Sequence, residues 1–457
     1  MKRLNTTILI SLPLVFVLLF VTSCLKPEPC NRDFIFKKEA ITLNINEQEK
    51  LTFTVEQPQD LEITWRSEDP TIATVKDGLV HAQNAGKTVV SAEAKINGVT
   101  KIAKCTVTVN PTEHKFSDPN LPKRVLQLHP EIDANGDGII SPEEALQLKE
   151  LNLEIADKAK ATAEEKITSV EGIQIFKNLT FLNLKNQFIG DATPIESLKE
   201  LQKLYITQTE IPSLRVDGMP QLQDLRLFGN KKLSAIDVTQ NPKLNILYVQ
   251  DTQISSINVS NNKELEDFNV NRTQVSRLEL VDLPKLTQIL AVNCKLDRVI
   301  IKGLPQLQKV FIDNNQLSSV SLSDLPELNR LSVYKNRLTS LSLENLPKLM
   351  FLFAHENQLE TLDLSKLPML FELNVDQNPL TQLDLSKNPV IRTLGAENMP
   401  KLQEINLRNG EYNDEAEYLV KEGNTALKRV LVDKGPEETH LLNIFPKGTS
   451  GVEVIAE

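Results

Sequence analysis

Between Asp133 and Glu144 the chain places oxygen donors at nearly every second residue: Asp133, Asn135, Asp137, the carbonyl of Ile139, Ser141 and Glu144. Hard oxygen ligands in such numbers suit calcium, which takes roughly six to eight of them. A second group is spread through the later half of the chain. Tyr205, Arg226, Phe228, Tyr248, Phe311, Asp313, Arg330, Tyr334, Phe351, Phe353 and His355 recur at related places in a repeating pattern. Tyr and Arg are the residue types that anchor protein interfaces. Cys24 stands at the end of an apolar run. No set of residues points to catalysis. The five His, at 81, 114, 129, 355 and 440, are scattered, and no G-x-S-x-G, H-E-x-x-H or phosphate-cradling glycine motif occurs. The expectation is a protein that is not an enzyme. With 51 Lys+Arg against 61 Asp+Glu, the net charge of −10 also excludes a nucleic-acid binder, which needs clustered positive charge.

The apolar run from Ile8 to Val21 follows Lys2 and Arg3 and contains Pro13. It is too short to span a bilayer and reads as a signal peptide. It ends in Val21-Thr22-Ser23-Cys24, which resembles the lipobox of bacterial lipoproteins. That resemblance implies removal of residues 1–23 and an N-terminal lipid on Cys24, with 24–35 as an extended tether. No Asp follows Cys24, so nothing signals inner-membrane retention. Lys26 and Glu28 resemble the surface-export signals of Bacteroidetes lipoproteins. The implied location is the bacterial outer membrane, lipid-anchored at the cell surface.

Residues 36–110 read as β structure. Ile41 to Ile45 and Leu51 to Val55 alternate, and turn signals stand at Asp77-Gly78, Ala85-Gly86 and Asn97-Gly98. The string from Ile63 through Trp65 and Pro70 to Val75, with Gly78-Leu79-Val80 and Ala85-Gly86-Lys87-Thr88, resembles the group 2 bacterial immunoglobulin-like domain. The resemblance implies a small β-sandwich acting as a spacer or adhesion module, with Trp65 in its core. Cys30 and Cys105 leave open a disulfide to the last strand.

Residues 111–156 carry the calcium loop, which resembles an EF-hand. By that resemblance Asp133, Asn135 and Asp137 give side-chain oxygens, Ile139 its carbonyl, Ser141 a water-mediated contact and Glu144 a bidentate one. Gly138 permits the turn and Ile140 points inward. The flanking helices are expected at Leu121–Leu128 and Pro142–Leu151. A single loop suits a stiffened joint, since sensors pair two.

From Leu179 onward the sequence repeats. Pro284, Pro305, Pro326, Pro347, Pro368 and Pro389 march at a period of 21, and eleven units begin at Leu179 and run to the one at Ile391. The pattern L-x-x-L-x-L-x-x-N-x-L resembles leucine-rich repeats, in particular the short bacterial 21-residue class related to internalins. It implies a β-rich, curved solenoid over 157–410. The leucines at positions one, four, six and eleven face a shared core, because no unit can bury its own face. Position nine should satisfy buried backbone groups, with Asn230, Asn315, Asn336, Asn357 and Asn378 there, Thr209, Thr252 and Thr273 substituting, and Cys294 as a small buried member of the column. An off-phase unit begins at Leu402. The helix-prone stretch Ala156–Val170 is expected to cap the start. Residues 411–457 should cap the end, with a helix at Asp414–Glu422 and final strands at Leu427–Val432 and Gly451–Ile455.

Positions three, five and seven of each unit point onto the concave face, which collects the aromatic and Arg residues named above. The fold expected is multi-domain: an immunoglobulin-like β-sandwich, an EF-hand-like calcium segment and a leucine-rich-repeat solenoid. The function expected is a membrane-anchored surface protein that binds a protein partner through the concave face. A glycan ligand for carbohydrate uptake, or a purely structural envelope spacer, are the other readings.

Overall fold

The computed structural model describes residues 34–57, 59–110, 114–411, 415–448 and 450–457. Cys24, Cys30 and the signal segment lie outside the described residues. The chain divides into two compact units, Met1–Thr112 and Glu113–Glu457.

In the first unit, strands Ala40–Asn44, Val99–Asn110, Gly86–Ile96 and Thr64–Ser67 form one sheet in that order, and Gln48–Lys50, Leu79–Ala82 and Ala73–Lys76 form another. The long hairpin turns at Asn97-Gly98, where both residues have positive φ (50° and 79°), as a two-residue turn matching strand twist requires. Inward positions are apolar at every second residue: Val90, Ala92 and Ala94 on one strand, Ala103, Cys105, Val107 and Val109 on its neighbour, all buried in a common core. Trp65 packs at the margin of that core, half-buried, its ring stacked 5.6 Å from Phe36 at 14°. Cys105 carries a free, buried thiol.

The second unit is a solenoid. A 13-stranded sheet of short, strictly parallel strands runs from Glu150–Asn152 to Glu417–Leu419. Thirteen strands at about 4.8 Å apart span roughly 60 Å. One residue of each coil meets its equivalent in the next, as in Leu331↔Leu352 and Leu352↔Leu373. The coil beginning at Leu328 shows why the pattern works: Leu328, Leu331, Val333 and Leu338 are all fully buried, each packed against the same positions one coil away. Second-half segments form their own short parallel sheets, Arg277–Val281 with Arg298–Lys302 and Ser321–Ser323, and Gln382–Asp384 with Glu404–Asn406, Arg429–Val432 and Glu453–Ala456. This explains the off-phase Leu402: it opens the second half of the coil begun at Ile391, and its strand pairs with Gln382–Asp384.

The ends differ from the sequence expectation. The helix expected at Pro142–Leu151 covers only Pro142–Ala145, and Glu150–Asn152 is instead the first strand of the long sheet. Leu151, Leu153 and Ile155 alternate, and the strand edge at Phe181–Asn183 gives that alternation a ladder partner, which overrides helix propensity. No helix forms over 156–170. That stretch is tied down by polar contacts: Lys158 Nζ donates to the carbonyls of Gln187 and Gln208, at 3.2 and 2.8 Å. The expected helix at 414–422 is also absent among the described residues. Ala416, Tyr418 and Val420 point inward at period two, and Glu417–Leu419 extends the sheet. The terminal cover is a helix at Pro436–Ile444, with Pro at its first turn followed by Glu437 and Glu438. The strands expected near 427–432 and 451–455 form at Arg429–Val432 and Glu453–Ala456.

Candidate recognition face and calcium loop

Along the front strands of the solenoid, inward leucines alternate with half-exposed outward residues. Parallel register places Tyr205 beside Arg226, Arg226 beside Tyr248, and Arg330 beside Phe351. Two clusters result. In the first, the guanidinium of Arg226 lies 4.7 Å from the ring centre of Tyr205 and 5.3 Å from that of Tyr248. Asp224 grips it with both oxygens, each at 2.9 Å. The Tyr205 hydroxyl donates to the same carboxylate at 2.7 Å, and Tyr248 donates to Asp267 at 2.5 Å. Burial, reinforced by these acceptor carboxylates, pushes both phenols up to about 12. They therefore remain protonated donors at any physiological pH.

In the second cluster Arg330 lies over Phe351 and Phe353, at 4.5 and 5.2 Å from the ring centres. Tyr334 and His355 stack at 4.4 Å and 7°. Burial lowers the His355 pKa, which favours the neutral ring. Phe228 and Phe311 are half-exposed on the same face. None of the expected face rings is swallowed by the core.

Asp313 departs from its expected role. It is buried at 3% exposure, accepting from Ser332 Oγ at 2.5 Å and from the Tyr334 backbone N–H at 3.1 Å. Burial pushes its carboxyl up to about 6. The carboxylate leans across small Ser332 of the next coil, where it braces Tyr334 and is covered from a partner. Sequence reasoning also missed Asp224 and Asp267. The signal was present: each acid stands 19 residues after its tyrosine, one coil on and two positions back, and Asp313–Ser332 repeats that diagonal.

Position nine behaves as expected. Asn336 donates to the carbonyls of Ile312 and Val333, at 3.1 and 3.0 Å, and accepts from Leu338's neighbour coil partner Leu317 N–H at 3.1 Å. Asn315, Asn357 and Asn378 repeat the arrangement. Thr252 and Thr273 each donate to a carbonyl of their own coil and accept from a nearby N–H, and Thr273 also meets Cys294 Sγ of the next coil at 3.5 Å. Cys294 Sγ donates to Val270 O at 3.1 Å, as a buried member of the column.

The loop from Asp133 to Glu144 folds around its own side chains. Asp133 accepts from the N–H groups of Asp137 and Gly138, at 3.1 and 3.0 Å, and Asn135 accepts from Asp137 N–H at 2.9 Å. Asp137 accepts from Ile139 N–H at 2.8 Å. Gly138 has φ +76°, and Ile140 is buried. Glu144 is buried and closes a capping box with Ser141, while its other oxygen accepts from Ala134 N–H at 3.2 Å. Among the described residues no three His, Cys, Asp or Glu side chains converge as an ion site. The donors fit calcium in kind, being oxygens only, and Asp133, Asn135 and Glu144 all reach the same loop backbone. The loop's apolar residues Ile132, Ile140 and Ala145 share the solenoid's core, so the segment covers the first coil and is not a free-standing joint.

Residues 32–107 match the bacterial Ig-like domain, group 2. The N-terminal unit is thus an Ig-like domain, followed by the solenoid. Among solved structures, the functional domain of InlJ from Listeria monocytogenes is 21% identical, with a TM-score of 0.48 over 70% of this chain and 74% of that one. An internalin, inlF, from Listeria monocytogenes is 20% identical, with a TM-score of 0.47 over 74% and 95%. YopM, a leucine-rich effector of Yersinia pestis, is 21% identical, with a TM-score of 0.34 over 51% and 72%. The solenoid assignment stands on its own strand register and buried leucine columns. No curated protein matches the chain. Among the described residues no helix is long and apolar enough to cross a membrane.

Proposed function

We propose that this chain is a surface recognition protein, held to a bacterial outer membrane by lipid on Cys24, whose solenoid binds a partner protein through the outward face of the 13-stranded sheet. One observation carries the choice of a protein over a sugar. Arg226 covers Tyr205 and Tyr248, Arg330 covers Phe351 and Phe353, and Tyr334 and His355 cover each other. Sugar stacking needs free ring faces, and one face of each of these rings is already taken. Rings and guanidinium groups locked in place lose little entropy on binding, which is what anchor residues of protein interfaces provide.

The test is a quadruple variant, Tyr248, Phe311, Tyr334 and Phe353 all to Ala, compared with the parent in cross-linking on intact cells and on a glycan array. Loss of a cross-linked protein supports this reading. Array binding that the variant loses supports the sugar reading. An unchanged profile in both assays leaves only the spacer role. Anchoring has its own check: Cys24→Ala should abolish lipid labelling and release the protein from membranes, and protease shaving of intact cells should remove the parent.

Asp133, Asn135, Asp137, the Ile139 carbonyl, Ser141 and Glu144 would hold one calcium ion. Bound there, calcium would supply a fixed charge that locks the loop over the buried Ile140 and Ala145 beneath it.

A further inference from the structure

Several ion pairs of the solenoid join neighbouring coils. Glu210–Lys232, Asp251–Arg272, Glu264–Lys285, Glu327–Lys348 and Glu404–Arg429 all do so. Lys309 and Arg330 form no such pair. They are direct partners across adjacent strands, both on the outward face. Among the described residues neither has a carboxylate within ion-pair distance. Like charges placed opposite each other in a sheet cost stability. The two arginine clusters sharpen the contrast. Arg226, over its tyrosines, spends its donors on Asp224. Arg330 is held over Phe351 and Phe353 in the same manner with no acid to match. One cluster is closed on itself, and the other is a pinned cation with an apolar floor.

We propose that Lys309 and Arg330 form a receptor for a carboxylate on an acidic polypeptide segment, with an apolar side chain next to that carboxylate resting against Phe311, Phe351 and Phe353. This rests on the protein-binding reading of the face and names the partner's chemistry. Charge-assisted bonds from a guanidinium to a carboxylate are short and strong, and a planar fork already oriented by ring contacts loses little freedom in making them. A polyanionic chain fits less well. Two coils beyond Arg330 the same column presents Glu372, and the chain as a whole carries −10. A run of negative charge tracking the face would meet repulsion, whereas one carboxylate flanked by apolar groups would not.

The experiment uses the full chain, immobilised, and a displayed library of random 16-residue peptides, with heparin as a competing probe. The expected result is enrichment of Asp or Glu beside a large apolar residue. Affinity should fall at least tenfold in Arg330→Gln, in Lys309→Gln, and when the selected peptide's acid becomes its amide, and Arg330→Glu should be rescued by an acid-to-lysine peptide. All three protein changes are on the surface, and unchanged melting curves will show that each variant folds. Peptides that bind without acid preference, yet are lost in Phe353→Ala, overturn this inference and leave the face a protein-binding surface. Peptides indifferent to Phe353→Ala and Tyr334→Ala overturn both. An empty selection, or heparin binding that depends on Arg330 where no peptide binds, also overturns it.

Discussion

Asp313 shows how one buried group writes a pH dependence into the solenoid. Its folded pKa of about 6 lies above the ordinary 3.8, so the folded chain holds that proton more tightly than the unfolded chain does. Stability from this group is therefore greatest below about pH 4 and is lost as the pH rises through 6. Asp313→Asn keeps an oxygen acceptor for Ser332 and Tyr334 and removes the charge. Relative to the parent, it should gain up to about 3 kcal/mol at pH 8 and nothing at pH 4. Chemical unfolding of both proteins at the two pH values checks this; an equal difference at each would refute it. The position-nine column gives a second residue-level test. Asn336→Ala strands two carbonyls and an N–H in the interior, at a cost of about 2–3 kcal/mol. Asn336→Thr should cost less, because Thr252 and Thr273 already serve in their own coils. A series in which Thr is no better than Ala would count against the ladder account.

At the level of elements, the calcium loop is open to direct measurement. With about 1 mM calcium and a Kd near 10⁻⁴ M, binding should add about 1.4 kcal/mol to the stability of the second unit. Asp133→Ala should lower the melting temperature even in chelator, because Asp133 also holds two loop N–H groups. What it should abolish is the calcium-dependent increment, and a parent protein indifferent to chelator would remove calcium from the account. The middle of the solenoid was legible in the sequence, because the same inward leucines return in each coil and nothing local competes with them. The ends were harder to read. Leu151, Leu153 and Ile155 alternate inside a stretch of helix-forming composition, and only the strand edge at Phe181–Asn183 decides between the two. Tyr418 and its neighbours pose the same choice and resolve it the same way. On the face, the rings were visible in their columns. The acids that fix them were not, since the contacts of Asp224 and Asp267 cross between coils on a diagonal that no single unit displays. Asp313 was misjudged because its column is outward, and its covering by Ser332 and Tyr334 of the next coil is a contact between coils that no single unit displays.

For the whole molecule, the two units keep separate apolar cores, one within the Ig-like domain and one running without a break from Leu121 to Phe445. Scanning calorimetry should accordingly resolve two transitions, and proteolysis near Thr112 should leave the second unit's transition in place. A single transition abolished by that cut would show that the units fold as one. Within the solenoid each coil meets only the coils on either side, through equivalent residues in unbroken parallel register. Such an object can change its length without redesign. An in-frame gain or loss of one coil's worth of codons in the middle would present matching surfaces to both neighbours and leave the end covers untouched. Recombination between repeats could therefore respace the two arginine clusters, and so alter which partners fit, while the fold carried on as before.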